Sequence, residues 1–247
     1  MNEYILKLKK IISNSENIVF FGGAGVSTES GIPDFRSRKG IYMGEGKMGL
    51  TPEELVSYPI LKHKPELFFR FYKEAVVYPH ATPNKAHKTL AKMETDGKLA
   101  CIITQNIDGL HQAAGSKNVA ELHGSNARQY CQKCKKNYTL EYILNPANCD
   151  YIIPKCPCGG IVRPDVVLFG EQLDGYIVSH AISTIQSADC IIVGGTSLAV
   201  YPAAGLLGYM SQDCKLVVIN RDATPLDNEA DLVIGDSIGQ VLSLAYA

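Results

Sequence analysis

The chain has almost no excess of charge of either sign: 24 lysines and arginines face 25 aspartates and glutamates, a net charge of −1. Proteins that grip nucleic acid concentrate positive charge against its phosphates, so this balance gives no electrostatic case for such a partner. Long apolar runs are missing too. Ile5, Leu8, Ile11 and Ile12 recur at helical spacing near the start, but lysines interrupt them, which excludes a membrane span and a signal peptide there. Internal repeats and low-complexity tracts are also absent. A cytoplasmic setting is therefore expected, where eight cysteines signal metal or reduced thiols rather than disulfides.

What the chain does have is apolar material for a sizeable core: 46% of its 247 residues are hydrophobic, enough for one large domain or for a large one with a small insert. It also has two cysteine pairs, Cys131-Gln-Lys-Cys134 and Cys156-Pro-Cys158. Four thiolates from two short turns satisfy a tetrahedral zinc ion and leave no open position for water, which makes such an ion structural. Gly159-Gly160 and Lys133, Lys135 and Lys136 suit tight turns that offset thiolate charge. The second pair has one intervening residue where zinc ribbons have two, so Cys149 stands as an alternative fourth ligand, and free or disulfide-bonded thiols are the plainer reading. Cys101, Cys190 and Cys214 border apolar runs and read as small core residues.

A short apolar strand, Ile18–Phe21, runs into Gly22-Gly-Ala-Gly-Val-Ser-Thr28. A glycine-rich turn that opens a helix places backbone N–H groups where a diphosphate can sit. The following Gly31-Ile-Pro-Asp-Phe-Arg36 is not the acidic end of a second dinucleotide-binding strand, which disfavours an ordinary dehydrogenase. Helical stretches near Glu53–Ser57 and Pro65–Ala75 are expected, then a helix from about Asn84 to Thr95 and a buried strand, Leu99–Thr104. That strand ends in Gln105-Asn-Ile-Asp-Gly-Leu-His111, and polar groups at such an end are where parallel sheets bind ligands. Val166–Phe169, Cys190–Val193 and Leu216–Ile219 read as three further strands. The expected fold is an α/β, doubly wound parallel (Rossmann-like) sheet over 1–40, 84–125 and 160–247. A helical insert, 41–83, and a zinc-binding insert, 126–162, would make a smaller lobe.

At this point the chain resembles the sirtuins, the NAD-dependent protein-lysine deacylases. The matching segments are Gly23-Ala-Gly-Val-Ser27, Gly31–Arg36, Thr104–His111, His123-Gly124, the cysteine pairs, Arg163-Pro-Asp-Val-Val-Leu-Phe-Gly-Glu171, Gly195-Thr-Ser197 and Val218-Ile-Asn220. They run in the family's order along nearly the whole chain, in its short bacterial form. The resemblance implies NAD and one structural Zn2+ as cofactors and an acyl-lysine protein or peptide as partner. It implies transfer of the acyl group to the ADP-ribose of NAD with release of nicotinamide, most simply as a deacetylase.

By the same resemblance His123 is the base, and imidazole suits the part because its ordinary pKa lies near neutrality. Asn106 is the second catalytic residue. Ile107 and Asp108 hold the nicotinamide amide, with Gln105 and Asn106 near the ribose; as an alternative, Asp108 caps a turn. Gly23, Ala24, Gly25, Ser27, Thr28, Phe35 and Arg36 line the ribose and phosphates, Phe35 as a cover over the reactive carbon. Gly195, Thr196, Ser197, Asn220 and Ile238 take the adenosine end. Val166, Val167, Leu168, Phe169, Gly170 and Val200 flank a substrate peptide added as a strand. His63, His80 and His180 read as ordinary surface or core residues, His111 as a loop support and His87 as the start of a helix. Tyr72 is followed by Ala75 where succinyl-removing sirtuins carry Arg, which implies preference for neutral acyl groups. A mono-ADP-ribosyltransferase and a non-catalytic zinc and nucleotide-binding module are the competing readings.

Overall fold

A computed structural model describes residues 3–34 and 49–246. In chain order they form α1 (Glu3–Asn14), β1 (Ile18–Gly22), α2 (Pro52–Leu55), α3 (Tyr58–His63), α4 (Pro65–Phe71), α5 (Lys85–Thr95), β2 (Leu99–Thr104), α6 (Leu110–Ala113), β3 (Val119–Glu121) and β4 (Gly124–Cys131). There follow β5 (Asn137–Thr139), α7 (Leu140–Leu144), β6 (Cys149–Asp150), β7 (Ile153–Pro154), β8 (Val162–Val166), α8 (Gly175–Ser187), β9 (Cys190–Gly194), β10 (Lys215–Ile219), β11 (Leu232–Ile234) and α9 (Ile238–Ala245).

Alternate side chains of a strand point to opposite faces, and the run Ile18–Phe21 shows the consequence. Ile18 and Phe20 join a core with Leu8, Leu90, Met93 and Val241 under α1, α5 and α9. Val19 and Phe21 join the opposite core with Ala181 and Ile185 of α8. A strand buried on both faces reads as a continuous apolar run, which is why β1, β2, β9 and β10 stand out in the sequence. The six strands run in the order β11-β10-β9-β1-β2-β3, all neighbours parallel. Chain direction across the sheet reverses between β1 and β9, so a crevice opens at their carboxyl ends.

Three sequence expectations differ here. Val166–Phe169 is not a strand of the parallel sheet: β8 ends at Val166 and pairs antiparallel with β4 in a separate three-stranded sheet, β5-β4-β8. Phe169 is 42% exposed while Leu168 packs into a separate core, so this apolar run lines the crevice and is not part of the parallel sheet's interior. The glycine-rich turn opens two 3-10 turns, Ala24–Val26 and Thr28–Ser30, not an α-helix. The helix expected over Pro65–Ala75 ends at Phe71 and continues as a π turn, Tyr72–Val76, while Ser57 caps α3 and separates it from α2. Strands β3 and β11 are too short to show as apolar runs.

A third core joins α3 and α4 to the cysteine-bearing segment through Leu61, Phe68, Phe69, Ile143, Val162 and Leu168. Asn84 starts α5 as anticipated for its neighbour His87: Asn84 Oδ1 accepts from the Ala86 N–H at 2.8 Å, and His87 Nδ1 accepts from the Asn84 N–H at 3.3 Å.

Where β1 and β9 diverge, their loops touch backbone to backbone. Gly25 N–H donates to Gly195 O at 2.8 Å, Gly195 has φ +59, and a methyl there would sit 2.4 Å from Val26 N. Gly195→Ala is expected to lose at least about 2 kcal/mol of stability in denaturant titration, from left-handed strain plus overlap with rigid backbone. Gly208→Ala, where nothing lies within 4 Å of the added methyl, should stay within about 0.5 kcal/mol.

Candidate active site

The crevice is a cavity of 790 Å³. That is the size of a small-molecule or cofactor site. Of the residues expected at a ligand, Gly23, Ala24, Gly25, Ser27, Gln105, Asn106, Ile107, Asp108, His123, Gly195, Thr196, Ser197 and Asn220 line it. Val166, Val167, Leu168, Phe169, Gly170 and Val200 line it as well. Thr28 and Ile238 do not. Thr28 Oγ1 donates to Gly25 O at 2.9 Å and accepts from Arg221 at 2.8 Å, and Ile238 is 4% exposed within the core under α9. Phe35 and Arg36 lie outside the described residues.

Gln105 is the hinge of the polar wall. Its N–H donates to Gly22 O at 3.0 Å and its amide to Thr196 Oγ1 at 3.1 Å, so β2 is tied to both β1 and the β9 loop. The Gln105 carbonyl lies 2.9 Å from His123 Nδ1. A carbonyl can only accept, so Nδ1 carries the proton and Nε2 keeps its lone pair. Burial holds the His123 pKa below the ordinary imidazole value, opposed by that hydrogen bond, which keeps the ring neutral at pH 7. On the other side Val167 N–H donates to His123 O at 3.0 Å, joining this residue to the wall beyond β8.

Ser27 organises the next polar cluster. Its Oγ donates to Asp108 Oδ2 at 2.6 Å and accepts from Asn106 Nδ2 at 3.1 Å. Asp108 Oδ1 accepts from Leu110 N–H at 2.9 Å, so this carboxylate caps the turn into α6 while lining the cavity. Burial raises its pKa, and the Ser27 and Leu110 donors oppose that rise.

His87 and His111 lie behind this wall. Both are buried with ring centroids 4.7 Å apart, and burial drives their pKa values down to about 4 and about 3, leaving them neutral supports of the loop. His63, His80 and His180 are exposed. Val76, Val77, Asn126 and Leu140 also line the crevice and carry no local pattern that marks them, because they come from elements whose approach only the folded chain sets.

The Sγ atoms of Cys131, Cys134, Cys156 and Cys158 lie within 4.8 Å of one another. Cys131 to Cys158 measures 3.5 Å and Cys134 to Cys156 3.6 Å. Tetrahedral Zn–S bonds require about 3.8 Å between sulfurs, so the cluster fits a zinc ion with little adjustment. Tyr138 O–H donates to Cys156 Sγ at 2.9 Å, a support suited to a thiolate. Gly160 approaches so closely that a methyl would come within 2.5 Å of Cys131 Sγ. Cys149 is excluded as a ligand, since its sulfur faces Lys73 Nζ at 3.5 Å and the Asn145 carbonyl at 3.5 Å instead.

A doubly wound dinucleotide-type sheet, a neutral imidazole in its crevice wall and a four-cysteine cluster define the class: a nucleotide-dependent enzyme with a structural metal. Residues 23–202 match the Sir2 family, and the chain belongs to it. It is 56% identical to the NAD-dependent protein deacetylase of Clostridium perfringens over 98% of each chain, and 49% identical to that of Cutibacterium acnes over 94% of this chain and 93% of the other. A solved Sir2 structure with peptide and NAD+ matches with TM-score 0.85 at 38% identity, covering 98% of this chain and 96% of that one. A Sir2 structure bound to acetylated peptide matches with TM-score 0.85 at 36% identity over the same shares.

Metal analysis checks the cluster. One zinc per chain is expected; Cys156→Ser should lose it and lower the melting temperature, whereas Cys149→Ser should keep it.

Proposed function

We propose that the chain is an NAD-dependent protein-lysine deacetylase, moving the acyl group of acyl-lysine to the ADP-ribose of NAD with release of nicotinamide. The observation that carries this is His123 in the crevice wall, with Nδ1 bound to the Gln105 carbonyl and Nε2 left as a base. The shared family and the deacetylase relatives support it. Bound NAD supplies a ribose carbon carrying nicotinamide as leaving group and hydroxyls that can be deprotonated. His123 Nε2 takes the proton from a ribose hydroxyl, and its neutrality at pH 7 makes that possible. Asn106 and Asp108, held through Ser27, orient the ribose and the nicotinamide amide, with Gln105 and Ile107 beside them. Gly23, Ala24 and Gly25 receive the phosphates, and Gly195, Thr196, Ser197 and Asn220 the adenosine end.

The substrate peptide is placed between 166–170 and Val200. The first of these walls is rigid: Arg163 is bidentate to Glu171 at 2.6 and 2.8 Å, and Glu171 also accepts from Leu168 N–H at 2.9 Å. Backbone pairing there gives affinity with little sequence demand. The division into a nucleotide-binding part, 1–40, 84–125 and 160–247, with inserts 41–83 and 126–162, is part of the same proposal. So is a cytoplasmic setting; no helix of the described residues is long and apolar enough to cross a membrane.

An acetyl-lysine peptide with NAD tests the reading: acetyl loss should equal nicotinamide release, with no label passed from NAD to protein. His123→Ala should lose at least about 10²-fold in kcat while staying folded. A base must be neutral to act, so activity should fall only as pH drops through a pKa depressed below the ordinary value of about 6.5. An acid limb above that value would contradict the assignment.

Tyr72 lines the acyl side of the cavity, and Ala75 follows it without a guanidinium. Burying a succinyl carboxylate there would leave a charge uncompensated at a cost of several kcal/mol. Acetyl-lysine should therefore exceed succinyl-lysine in kcat/KM on one peptide by at least about 10²-fold.

A further inference from the structure

The wall beside Tyr72 is mostly apolar, contributed by Val76, Val77, Ile107 and Leu168, yet it holds one carboxamide, that of Asn126. Asn126 is 6% exposed and Tyr72 1%, so both have left bulk water. The Tyr72 hydroxyl donates to Asn126 Oδ1. Asn126 Nδ2 faces the Val76 carbonyl at 3.5 Å, and because a carbonyl can only accept, this fixes which end of the amide is nitrogen. That carbonyl belongs to the π turn Tyr72–Val76, which closes with Val77 N–H bonded to Tyr72 O at 3.2 Å. Such turns recur at functional sites because they open the side of a helix.

The Asn126 backbone is fixed as well, its N–H donating to Ile107 O at 2.8 Å and its carbonyl accepting from Gln129 Nε2 at 2.7 Å. The side chain therefore keeps one N–H and one lone pair without a partner among the described residues.

We infer that Asn126, aligned by Tyr72, is a specificity-determining residue that makes the enzyme favour short acyl groups bearing a hydroxyl over alkyl groups of equal length. The inference rests on the deacylase reading above. An alkyl chain filling this end would seal the spare amide hydrogen and lone pair away from water with nothing to bond. A hydroxyl donates to Oδ1 or accepts from Nδ2 and removes that penalty. A carboxylate gains less, because Arg163, the cation whose field reaches Tyr72, is already bound to Glu171. Burial also keeps the Tyr72 phenol protonated and neutral.

The test is kcat/KM on one peptide sequence carrying acetyl-, butyryl- or 3-hydroxybutyryl-lysine, with the parent enzyme, Asn126→Leu and Tyr72→Phe. The parent should use the hydroxybutyryl peptide roughly tenfold better than the butyryl peptide, the discrimination of one buried hydrogen bond. Asn126→Leu should bring that ratio to one or below, and Asn126→Ala serves if the leucine variant does not fold. Tyr72→Phe retains the amide and should keep the ratio above one. Each ratio compares two substrates on the same enzyme, so general loss of stability does not move it. Equal use of the two peptides by the parent, refusal of both while acetyl is removed, or an unchanged ratio in the Asn126 variants overturns the inference. Absence of NAD-dependent turnover on acetyl-lysine as well would overturn the deacylase reading beneath it.

Discussion

One hydrogen bond, from His123 Nδ1–H to the Gln105 carbonyl at 2.9 Å, decides which imidazole nitrogen is free to act. Its orientation depends on much of the fold. Gln105 is held by Gly22 of β1 and Thr196 beyond β9, so the carbonyl points where three strand ends place it. His123 is anchored in turn between β3 and β4 and its carbonyl accepts from Val167, so this residue joins the parallel sheet to the smaller sheet. Among the described residues the partner behind the ring is the Gln105 carbonyl and not a carboxylate. A neutral acceptor fixes the tautomer without stabilising an imidazolium, which agrees with a pKa displaced downward by burial.

The same economy holds around the crevice. Glycines at 25 and 195 let the two loops beyond β1 and β9 meet backbone to backbone. The four-cysteine cluster lies in the third core with the helical segment: Cys131 and Cys156 are buried beside Ile143 and Val162, next to Phe68, Phe69 and Tyr72. A metal there would set the position of β4, and β4 carries Asn126. The cysteine cluster and the wall around Tyr72 are thus parts of one packed body, and a loss of metal should be felt at the crevice.

Much of this was legible in the residues. The β2 run is apolar from Leu99 to Ile103 because both its faces are buried, and the strand's bounds, Leu99–Thr104, are those expected. The four ligand cysteines were legible because thiolate spacing is a local constraint, and the geometry removed Cys149. Short strands were invisible: β3 and β11 have three residues each, too few for a period to register. Val166–Phe169 misled because an apolar run buried in a sheet and one lining a cavity look alike in sequence. The π turn at Tyr72–Val76 and the proximity of Asn126 to it arise from tertiary packing, which no local pattern encodes. Asp108 showed that two readings need not compete, since it caps a turn and lines the crevice at once.

The most direct test of the account is the protonation state of His123 itself, read by nitrogen-15 NMR of the imidazole at pH 7 with assignment by loss of the signal in His123→Ala. The account predicts a neutral ring with the proton on Nδ1 and a bare Nε2. A proton on Nε2, or a fully protonated imidazolium, would contradict it.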